Sequence, residues 1–219
     1  MQDAAVDIAL ENVSLGFEDR AVLEDVSLQL PRGAKCALSG ESGAGKTTLL
    51  RVLLGALRPV AGRVAIRGLE LTPQNLPEIR SRLFYLPQEV RAQGDETVSE
   101  HLAVPFSLRV NRGLRYERGR AAQLLRGLRL AEGLLDHRLR DLSGGERRRV
   151  GLARGLLLER PVLLLDEATA SVDAESRACI VDILLADPER TVLAVTHDGD
   201  FIARATKHVE LVQGRLVTH

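Results

Sequence analysis

One eight-residue string constrains the fold of this chain more than any other feature: glycine, four variable residues, glycine, lysine and threonine. It follows an apolar segment at 34–38 and precedes a segment of helical character at 45–57. Glycines let such a loop curl so that its N–H groups point at one anion, next to a helix N-terminus that favours negative charge. This order predicts a P-loop that binds nucleotide phosphates. The expected ATP-binding residues here are Gly40, Glu41, Ser42, Gly43, Ala44, Gly45, Lys46, Thr47 and Thr48.

Two side chains at the end of the string have expected roles of their own. Lys46 would reach the β- and γ-phosphates, and the Thr47 hydroxyl would bind Mg²⁺. The chain has thirty basic residues, and only three of them are lysines: Lys35, Lys46 and Lys207. A lysine at position 46 in a chain that otherwise uses arginine indicates a specific task for it.

A second constellation follows the apolar run at 162–165, which is typical of a strand buried on both faces. Asp166 and Glu167 come directly after this run. An acidic residue at the carboxyl end of a parallel strand faces the same crevice as a P-loop. We therefore expect Asp166 to hold Mg²⁺, and Glu167 to orient and deprotonate the attacking water.

The rest of the pattern predicts an α/β P-loop NTPase core with a mainly parallel sheet. We expect one domain, residues 1–219, made of a nucleotide-binding core (1–88 and 158–219) and an inserted α-helical subdomain (about 89–157). An antiparallel β subdomain is expected near the N-terminus. The expected strands are 6–10, 26–30, 34–38, 63–67, 83–86, 162–165 and 191–196, with a closing hairpin around Gly214; the expected helices are 45–57, one from Thr97, 116–128, 146–158, 173–186 and 198–205. Thr97 with Glu100, and Ser143 with Glu146, have the spacing of capping boxes at the starts of two of these helices.

Composition excludes some classes of function. Thirty acidic residues balance thirty basic ones, and a protein that coats nucleic acid needs a basic excess, so we expect no nucleic-acid partner. The first seven residues are acidic and lack the apolar core of a signal peptide. No apolar run approaches the roughly 18 residues that span a bilayer. We therefore expect a cytoplasmic chain that reaches a membrane only through another protein, with Cys36 and Cys179 as reduced thiols.

The string Leu-Ser-Gly-Gly-Glu at 142–146 identifies a family. It should occur by chance in fewer than about one in a thousand chains of this length. Small residues and a serine at a helix N-terminus make a second anion-binding end, whereas a merely capped helix does not require two consecutive glycines. With the P-loop and Asp166-Glu167 in this order, the chain resembles the nucleotide-binding domains of ATP-binding cassette (ABC) proteins over nearly its whole length.

The resemblance implies a head-to-tail dimer of two copies of the chain. Each ATP would lie between the P-loop of one subunit and the signature of the other, which is formed here by Ser143, Gly144, Gly145 and Glu146. Ser143 and Gly145 would contact the γ-phosphate. Residues 170–173 resemble the D-loop that crosses the dimer interface, with Asp173 also a plausible N-cap of the next helix.

Three further positions take their expected roles from the resemblance. His197, which follows an apolar strand, resembles the switch histidine that contacts the γ-phosphate and helps to hold Glu167. Gln88 resembles the Q-loop glutamine that meets Mg²⁺ and links the helical insert to the core. Phe17 matches the aromatic residue that stacks on adenine; the alternative is a phenylalanine packed in the β subdomain.

The chain departs from the family pattern at two places. Arg148 stands where members often have glutamine, and residues 171–172 are Ser-Val where Ala-Leu is common. Both departures leave the groups needed for hydrolysis intact. The run Arg147-Arg148-Arg149 suggests nucleic acid only weakly; we expect it to form the solvated or interfacial face of the signature helix.

The implied function is ATP hydrolysis with Mg²⁺, coupled to movement of a substrate across a membrane by a transmembrane permease partner. The chain would then lie at the inner face of the cell membrane. One alternative stays open: a non-transport cassette that drives a membrane complex mechanically, as in cell division or lipoprotein release. DNA-repair and translation cassettes are disfavoured, because the chain has one cassette and no coiled-coil arm or zinc-binding insert. Residues 94–98 and 104–106 loosely resemble small cassettes of metal or iron export.

Overall fold

The structure, a computed structural model, describes residues 5–18 and 20–218. It has the expected α/β architecture, with helices around a mainly parallel sheet and a separate antiparallel sheet. The strands are β1 (Val6–Phe17), β2 (Arg20–Pro31), β3 (Lys35–Ser39), β4 (Ala61–Ile66), β5 (Leu69–Glu70), β6 (Leu83–Leu86), β7 (Val162–Asp166), β8 (Thr191–Val195), β9 (Lys207–Val212) and β10 (Arg215–Thr218). The α-helices are α1 (Lys46–Leu53), α2 (Leu76–Arg82), α3 (Val98–Ala103), α4 (Arg118–Gly127), α5 (Gly144–Leu157), α6 (Ala174–Ala186) and α7 (Gly199–Arg204).

The larger sheet brings three strand ends together. Its order is β10-β9-β3-β8-β7-β6, and its neighbouring strands are parallel except for β9 with β10. Because β3, β8 and β7 are parallel neighbours, their carboxyl ends meet at one edge. In open α/β sheets, ligands bind at this edge. The P-loop, His197 and the Asp166-Glu167 pair all follow these strands, so the topology alone places them near one another.

Alternate residues of β7 enter two different hydrophobic cores. Leu163 and Leu165 pack in a core that also contains buried residues of α3, α4, α5 and α6. Val162 and Leu164 pack in a second core with α1 and the antiparallel sheet. The strand is buried along its whole length, which explains why its sequence is continuously apolar instead of alternating.

The antiparallel sheet is more extensive than the sequence pattern indicates. Its order is β2-β1-β4-β5, and β1 and β2 each have twelve residues where the alternation predicts five. Register shifts interrupt the β1–β2 pairing between Leu10 and Val13, and again between Val13 and Leu15. Each shift breaks the period-two alternation from which strands are recognised. The additional length therefore carries no clear sequence signal.

Two helices differ from expectation. α1 ends at Leu53 rather than near residue 57, because Gly55 adopts φ +65° directly after the C-cap Leu54. A glycine in the left-handed region at this place is a common helix stop. α2 was not predicted; Pro77 lies in its first turn, where the missing N–H costs no hydrogen bond.

Helical elements fill the chain between β6 and β7. Besides α3, α4 and α5 they include short 3₁₀ helices at Val104–Ser107, Arg109–Asn111, Glu132–Asp136 and Leu139–Asp141. The capping box that the sequence predicts at Thr97 is present: Thr97 Oγ1 accepts from Glu100 N at 3.2 Å, and Thr97 N donates to Glu100 Oε2 at 2.7 Å. Within residues 5–18 and 20–218, none of the helices is both long and apolar enough for a membrane span.

Two glycines let α5 pack closely against the edge of the larger sheet. A Cβ atom at Gly155 would lie 2.3 Å from the ring of Phe84, and one at Gly151 would lie 2.8 Å from Leu86. Phe84 and Leu86 are buried residues of β6. The helix that begins with the signature is thus fixed on the sheet by the absence of side chains at these two positions.

We predict opposite effects for two glycine-to-alanine substitutions. Gly155→Ala should destabilise the protein by about 1–3 kcal/mol, because the added methyl group overlaps a buried ring. Gly119→Ala, in α4, should be neutral or stabilise by up to about 1 kcal/mol, because its Cβ would meet open space and alanine favours helix. Urea denaturation measures both. A Gly155→Ala protein as stable as Gly119→Ala would contradict the close packing of α5.

Candidate functional site

The P-loop connects β3 to α1 through backbone conformations that glycine adopts easily. Gly40 has φ +140°, Gly43 +81° and Gly45, the N-cap of α1, +103°. A Cβ atom at Gly40 would lie 2.4 Å from Leu211 O, so backbone packing also requires glycine there. The loop therefore curls at the start of a helix, as the sequence predicts for a phosphate-binding turn.

The Lys46 side chain folds back over this loop. Its Nζ donates to Gly40 O and to Glu41 O, both at 2.7 Å. The ammonium group thus lies beside the carbonyls at the start of the loop, close to the place where the glycine turn would bind phosphate. An ammonium group held here places positive charge beside the helix N-terminus, and both attract anions.

Asp166 and Thr47 are joined across the site. Asp166 ends β7 and is 3% exposed, and its Oδ2 accepts from Thr47 Oγ1 at 2.9 Å and from Tyr85 OH at 3.4 Å. Burial raises the pKa of Asp166, and the neighbouring Glu167 carboxylate adds to the effect, while the two hydrogen bonds oppose it. Burial, with the Asp166 charge, raises the pKa of Tyr85 to about 12. The role of Tyr85 was missed from the sequence, because it depends on the register of β6 beside β7.

This donor set fits a hard cation. A hydroxyl oxygen and carboxylate oxygens are the ligands that Mg²⁺ prefers, and Mg²⁺ usually binds few protein groups alongside phosphate oxygens. Asp166 and Glu167 also place two carboxylates next to each other, one of them buried, and a bound cation would offset that unfavourable charge. Thr47 and Asp166 are thus placed to share a metal ion.

Glu167 adopts an unusual backbone conformation. Its φ is +57°, which is uncommon for a residue with a side chain, and its N–H donates to Val195 O at 2.9 Å at the end of β8. Its Oε2 accepts from Gln88 Nε2 at 3.2 Å. The conformation turns the chain sharply after β7, and strain of this kind is frequent where a side chain must be presented to a ligand.

His197 lies on the same side of the sheet as these groups. It is exposed, whereas the residues beside it are buried. Asp198 Oδ1 caps α7 by accepting from Asp200 N and Phe201 N, both at 3.0 Å. His197 lines one cleft of about 270 Å³ with the P-loop and the acidic pair. The residues that line this cleft are Val22, Ser42, Gly43, Gly45, Lys46, Thr47, Thr48, Gln88, Asp166, Glu167, Val195 and His197.

Phe17 lies at the end of β1, and half of its surface is exposed. The described residues that line the cleft include Val22 and Val195 but not Phe17, and Val22 O is 3.0 Å from a Cβ built at Gly45. An exposed aromatic ring is free to stack on a base. No sequence pattern points to Val22, because its place beside Gly45 results from β2 passing near the P-loop.

The signature residues lie apart from that cleft. Ser143 is the N-cap of α5; its N–H donates to Glu146 Oε2 at 2.9 Å, and its Oγ accepts from Glu146 N at 3.3 Å. Ser143 Oγ also donates to Glu146 Oε2 at 2.7 Å, and this hydrogen bond, together with that from the Ser143 N–H, lowers the pKa of Glu146. Gly144 faces open space, whereas a Cβ at Gly145 would lie 2.7 Å from Ser171 O. Of the described signature residues, none lines the P-loop cleft of its own chain.

Asp173 has a clear local task. It is exposed at the N-cap of α6, and its Oδ1 accepts from Ser176 N at 2.8 Å. This hydrogen bond lowers the pKa of Asp173 to about 2. The N-cap role expected from the sequence is therefore present, and the interface role expected from the resemblance remains a prediction.

The arginine run is largely occupied within its own chain. Arg149 Nη1 donates to Ser176 Oγ at 2.6 Å, and Arg148 donates to Gln88 O and Ala170 O. The Nε atoms of Arg148 and Arg149 are buried. Arg148 and Arg149 are therefore half-buried rather than fully solvated, and the interfacial alternative for this run stays a prediction.

Fold and cleft together define a P-loop nucleotide-binding protein. A family model described as "ABC transporter" matches residues 23–170, more than half of the chain. The chain therefore belongs to the ABC transporter family, as its nucleotide-binding cassette. The match includes the P-loop, the signature and the acidic pair.

Similar proteins include transporters of several kinds. The ATP-dependent lipid A-core flippase of Methylococcus capsulatus is 36% identical over 96% of this chain and 36% of its own length. The macrolide export ATP-binding/permease protein MacB of Hyphomonas neptunium is 36% identical over 93% of this chain and 32% of its own length. The methionine import ATP-binding protein MetN of Cutibacterium acnes is 33% identical over 96% of this chain and 60% of its own length. The chain thus spans less than two thirds of each of these relatives.

Solved structures agree with this assignment. A bacterial Atm1-family ABC exporter with ATP bound has a TM-score of 0.86 and 28% identity, over 97% of this chain and 38% of its own. The dimeric bacterial ABC transporter cassette MJ0796 has a TM-score of 0.84 and 28% identity, over 95% of this chain and 96% of its own.

We predict that Phe17→Ala weakens ATP binding by about 1–3 kcal/mol, the range of base–aromatic stacking. Phe106→Ala is the control, because Phe106 packs on Tyr116 at a centroid distance of 5.8 Å in the helical segment. Titration with a fluorescent ATP analogue measures both affinities. An affinity unchanged by Phe17→Ala would assign Phe17 to packing of the β subdomain.

Proposed function

We propose that this chain is the ATP-hydrolysing subunit of an ABC transporter. The observation that carries the proposal is the meeting of Lys46, Thr47, Asp166 and Glu167 in one cleft, at the carboxyl ends of parallel strands. An ammonium group, a hydroxyl and two carboxylates in this order suit phosphoryl transfer to water, in which positioning and electrostatic stabilisation supply most of the rate.

In the proposed mechanism the P-loop amides and Lys46 bind the triphosphate of ATP. Thr47, Asp166 and Gln88 would hold Mg²⁺, with Asp166 acting through water; a bound ion would supply positive charge beside the phosphate oxygens. Glu167 takes a proton from the attacking water, and its hydrogen bond to Gln88 orients the carboxylate. His197, exposed at the rim of the same cleft, contacts the γ-phosphate and helps to keep Glu167 in place.

A second copy of the chain would complete the site. The Ser143 end of α5 is a helix N-terminus that suits an anion, yet it lies outside the P-loop cleft of its own chain. A head-to-tail dimer would bring Ser143 and Gly145 of one subunit to the ATP of the other, with Asp173 near the interface. The dimeric state of the similar cassette MJ0796 supports this arrangement. ATP would then join the subunits, and hydrolysis would separate them.

We further propose a transmembrane permease as partner, with the chain peripheral at the inner face of the membrane. Residues 89–157, as a helical subdomain, would dock the permease near Gln88. Transport is favoured over a purely mechanical role, because the relatives above are named for a flippase, an exporter and an importer. Their identities to this chain, 33–36%, are similar although their named substrates differ, so these similarities do not indicate the cargo.

Lys46→Ala tests the P-loop. It should abolish detectable ATP hydrolysis while thermal unfolding stays near that of the wild type, because Lys46 serves the phosphates rather than a core. Lys207→Ala is the matched control; its Nζ donates only at 3.3 Å to Gln29 O, far from the cleft. Phosphate release by purified chains measures both. Near-normal turnover in a folded Lys46→Ala protein would contradict the P-loop assignment.

Glu167→Gln tests the mechanism and the dimer together. The substitution keeps the size of the side chain but removes the base, which should lower the hydrolysis rate by roughly 10²–10⁴. ATP binding should persist, because the P-loop, Lys46 and Asp166 are intact. Light scattering after size-exclusion chromatography should show a stable dimer with ATP and Mg²⁺, and a monomer–dimer mixture without them.

Adding Ser143→Arg to this variant should prevent the ATP-dependent dimer, because a bulky side chain would fill the γ-phosphate site of the partner. If Glu167→Gln stays monomeric at saturating ATP and Mg²⁺, either the head-to-tail dimer or its independence from the permease is wrong. If Ser143→Arg has no effect on a dimer that does form, the signature is not the second half of the site.

A further inference from the structure

Arg148, on the first turns of α5, joins two loops that lead to the cleft. Its Nη2 donates to Gln88 O, in the loop after β6, and its Nη1 donates to Ala170 O, in the loop after β7. The two nitrogen atoms of one planar fork thus contact carbonyls on separate loops. A guanidinium group can do this in a fixed geometry, whereas a lysine offers a single ammonium group.

These contacts form a closed ring with Glu167. Gln88 Nε2 donates to Glu167 Oε2 at 3.2 Å, and Ala170 N donates to Glu167 O at 3.1 Å. Arg148 bonds to the backbone carbonyls of the same two residues, Gln88 and Ala170. Glu167 is therefore held through its carboxylate by one loop and through its backbone by the other, and Arg148 sets the distance between the loops.

The surroundings make this bridge costly to lose. Arg148 is half-buried, and its Nε is buried without a hydrogen-bond partner within the described chain, so the two carbonyls are the hydrogen-bond acceptors of its guanidinium group. Breaking either contact would remove a charge-assisted hydrogen bond from a guanidinium group whose Nε already lacks one. Gly145 adds close contact at the same place, because the start of α5 packs directly on Ser171 O.

We infer that Arg148 is a positioning residue for the Glu167 carboxylate. It touches neither ATP nor water in the mechanism. It acts by holding Gln88 and the loop after β7 in the positions that orient the Glu167 carboxylate toward the attacking water. The inference rests on the proposed ATPase function. Arg148 then connects α5, the helix that carries the signature, to the general base of its own subunit. A shift of α5 therefore changes the orientation of the Glu167 carboxylate.

Arg148→Gln tests the inference on the full chain. The glutamine is too short to bridge the carbonyls of Gln88 and Ala170, so the Glu167 carboxylate should no longer be oriented correctly, while the P-loop stays intact. We expect kcat for ATP to fall by about 10- to 100-fold with KM changed by less than about twofold, since misplacement of a catalytic group by about 1 Å can cost that much. Arg120→Gln is the control. Arg120 lies in α4 and forms an exposed ion pair with Glu159, so this substitution removes the same charge and should keep the wild-type kcat.

A second arm separates positioning from general destabilisation. In the Glu167→Gln background, Arg148→Gln should lower the residual single-turnover rate by less than about twofold, because the group it positions is already gone. A further loss equal to that seen in the wild type would show that Arg148 acts independently of Glu167 and would overturn the inference. Arg148→Lys covers the case in which Arg148→Gln does not fold; it keeps the charge without the fork, and we expect a several-fold loss of kcat.

The outcomes separate this inference from the proposed function. A wild-type chain without ATPase activity would overturn both. An active wild type in which Arg148→Gln, or Arg148→Lys where the first does not fold, matches Arg120→Gln would overturn the role of Arg148 alone. A rise in KM with constant kcat would also overturn it, because Arg148 would then serve ATP binding instead of Glu167.

Discussion

The contact between Thr47 and Asp166 joins the two halves of the site, and much of the remaining arrangement depends on it. Thr47 belongs to the first turn of α1 and Asp166 to the last residue of β7, so the 2.9 Å bond fixes the P-loop against the sheet. It forms because β3 and β7 flank β8 in a parallel sheet and end at the same edge. Glu167, Gln88 and His197 are then placed by the loops that leave neighbouring strands at this edge.

The site concentrates polar groups where the surrounding protein is apolar. Asp166 is buried with a raised pKa, and Glu167 holds a positive φ beside it. Both features are unfavourable in isolation, and the two cores on either face of the sheet hold the strand rigidly enough to maintain them. This combination suits a site that binds a cation together with an anionic substrate. The cation would offset the repulsion between the Asp166 and Glu167 carboxylates.

The sequence predicted the fold class, the P-loop turn and the capping boxes at Thr97 and Ser143, because these features depend on neighbouring residues. It did not predict the full length of β1 and β2, in which register shifts break the alternation, or α2. Contacts made across the chain were also missed: Tyr85 with Asp166 follows from strand register, and the bridge by Arg148 joins three segments far apart in sequence. A run of three arginines does not predict such a bridge, because the local sequence shows the charges but not the carbonyl groups that the fold brings beside them.

The signature end of α5 has two connections of different kinds. Ser143 and Gly144 face away from the cleft of their own chain, as a contact to a second subunit would require. Five residues after Ser143, Arg148 reaches back to the loops around Glu167. Gly151 and Gly155 let α5 pack closely on β6. In the proposed dimer, a nucleotide that contacts Ser143 would therefore be connected, through α5 and Arg148, to Glu167, the proposed general base of the same subunit. The two sites of the dimer would be coupled through α5 by ordinary packing and two hydrogen bonds.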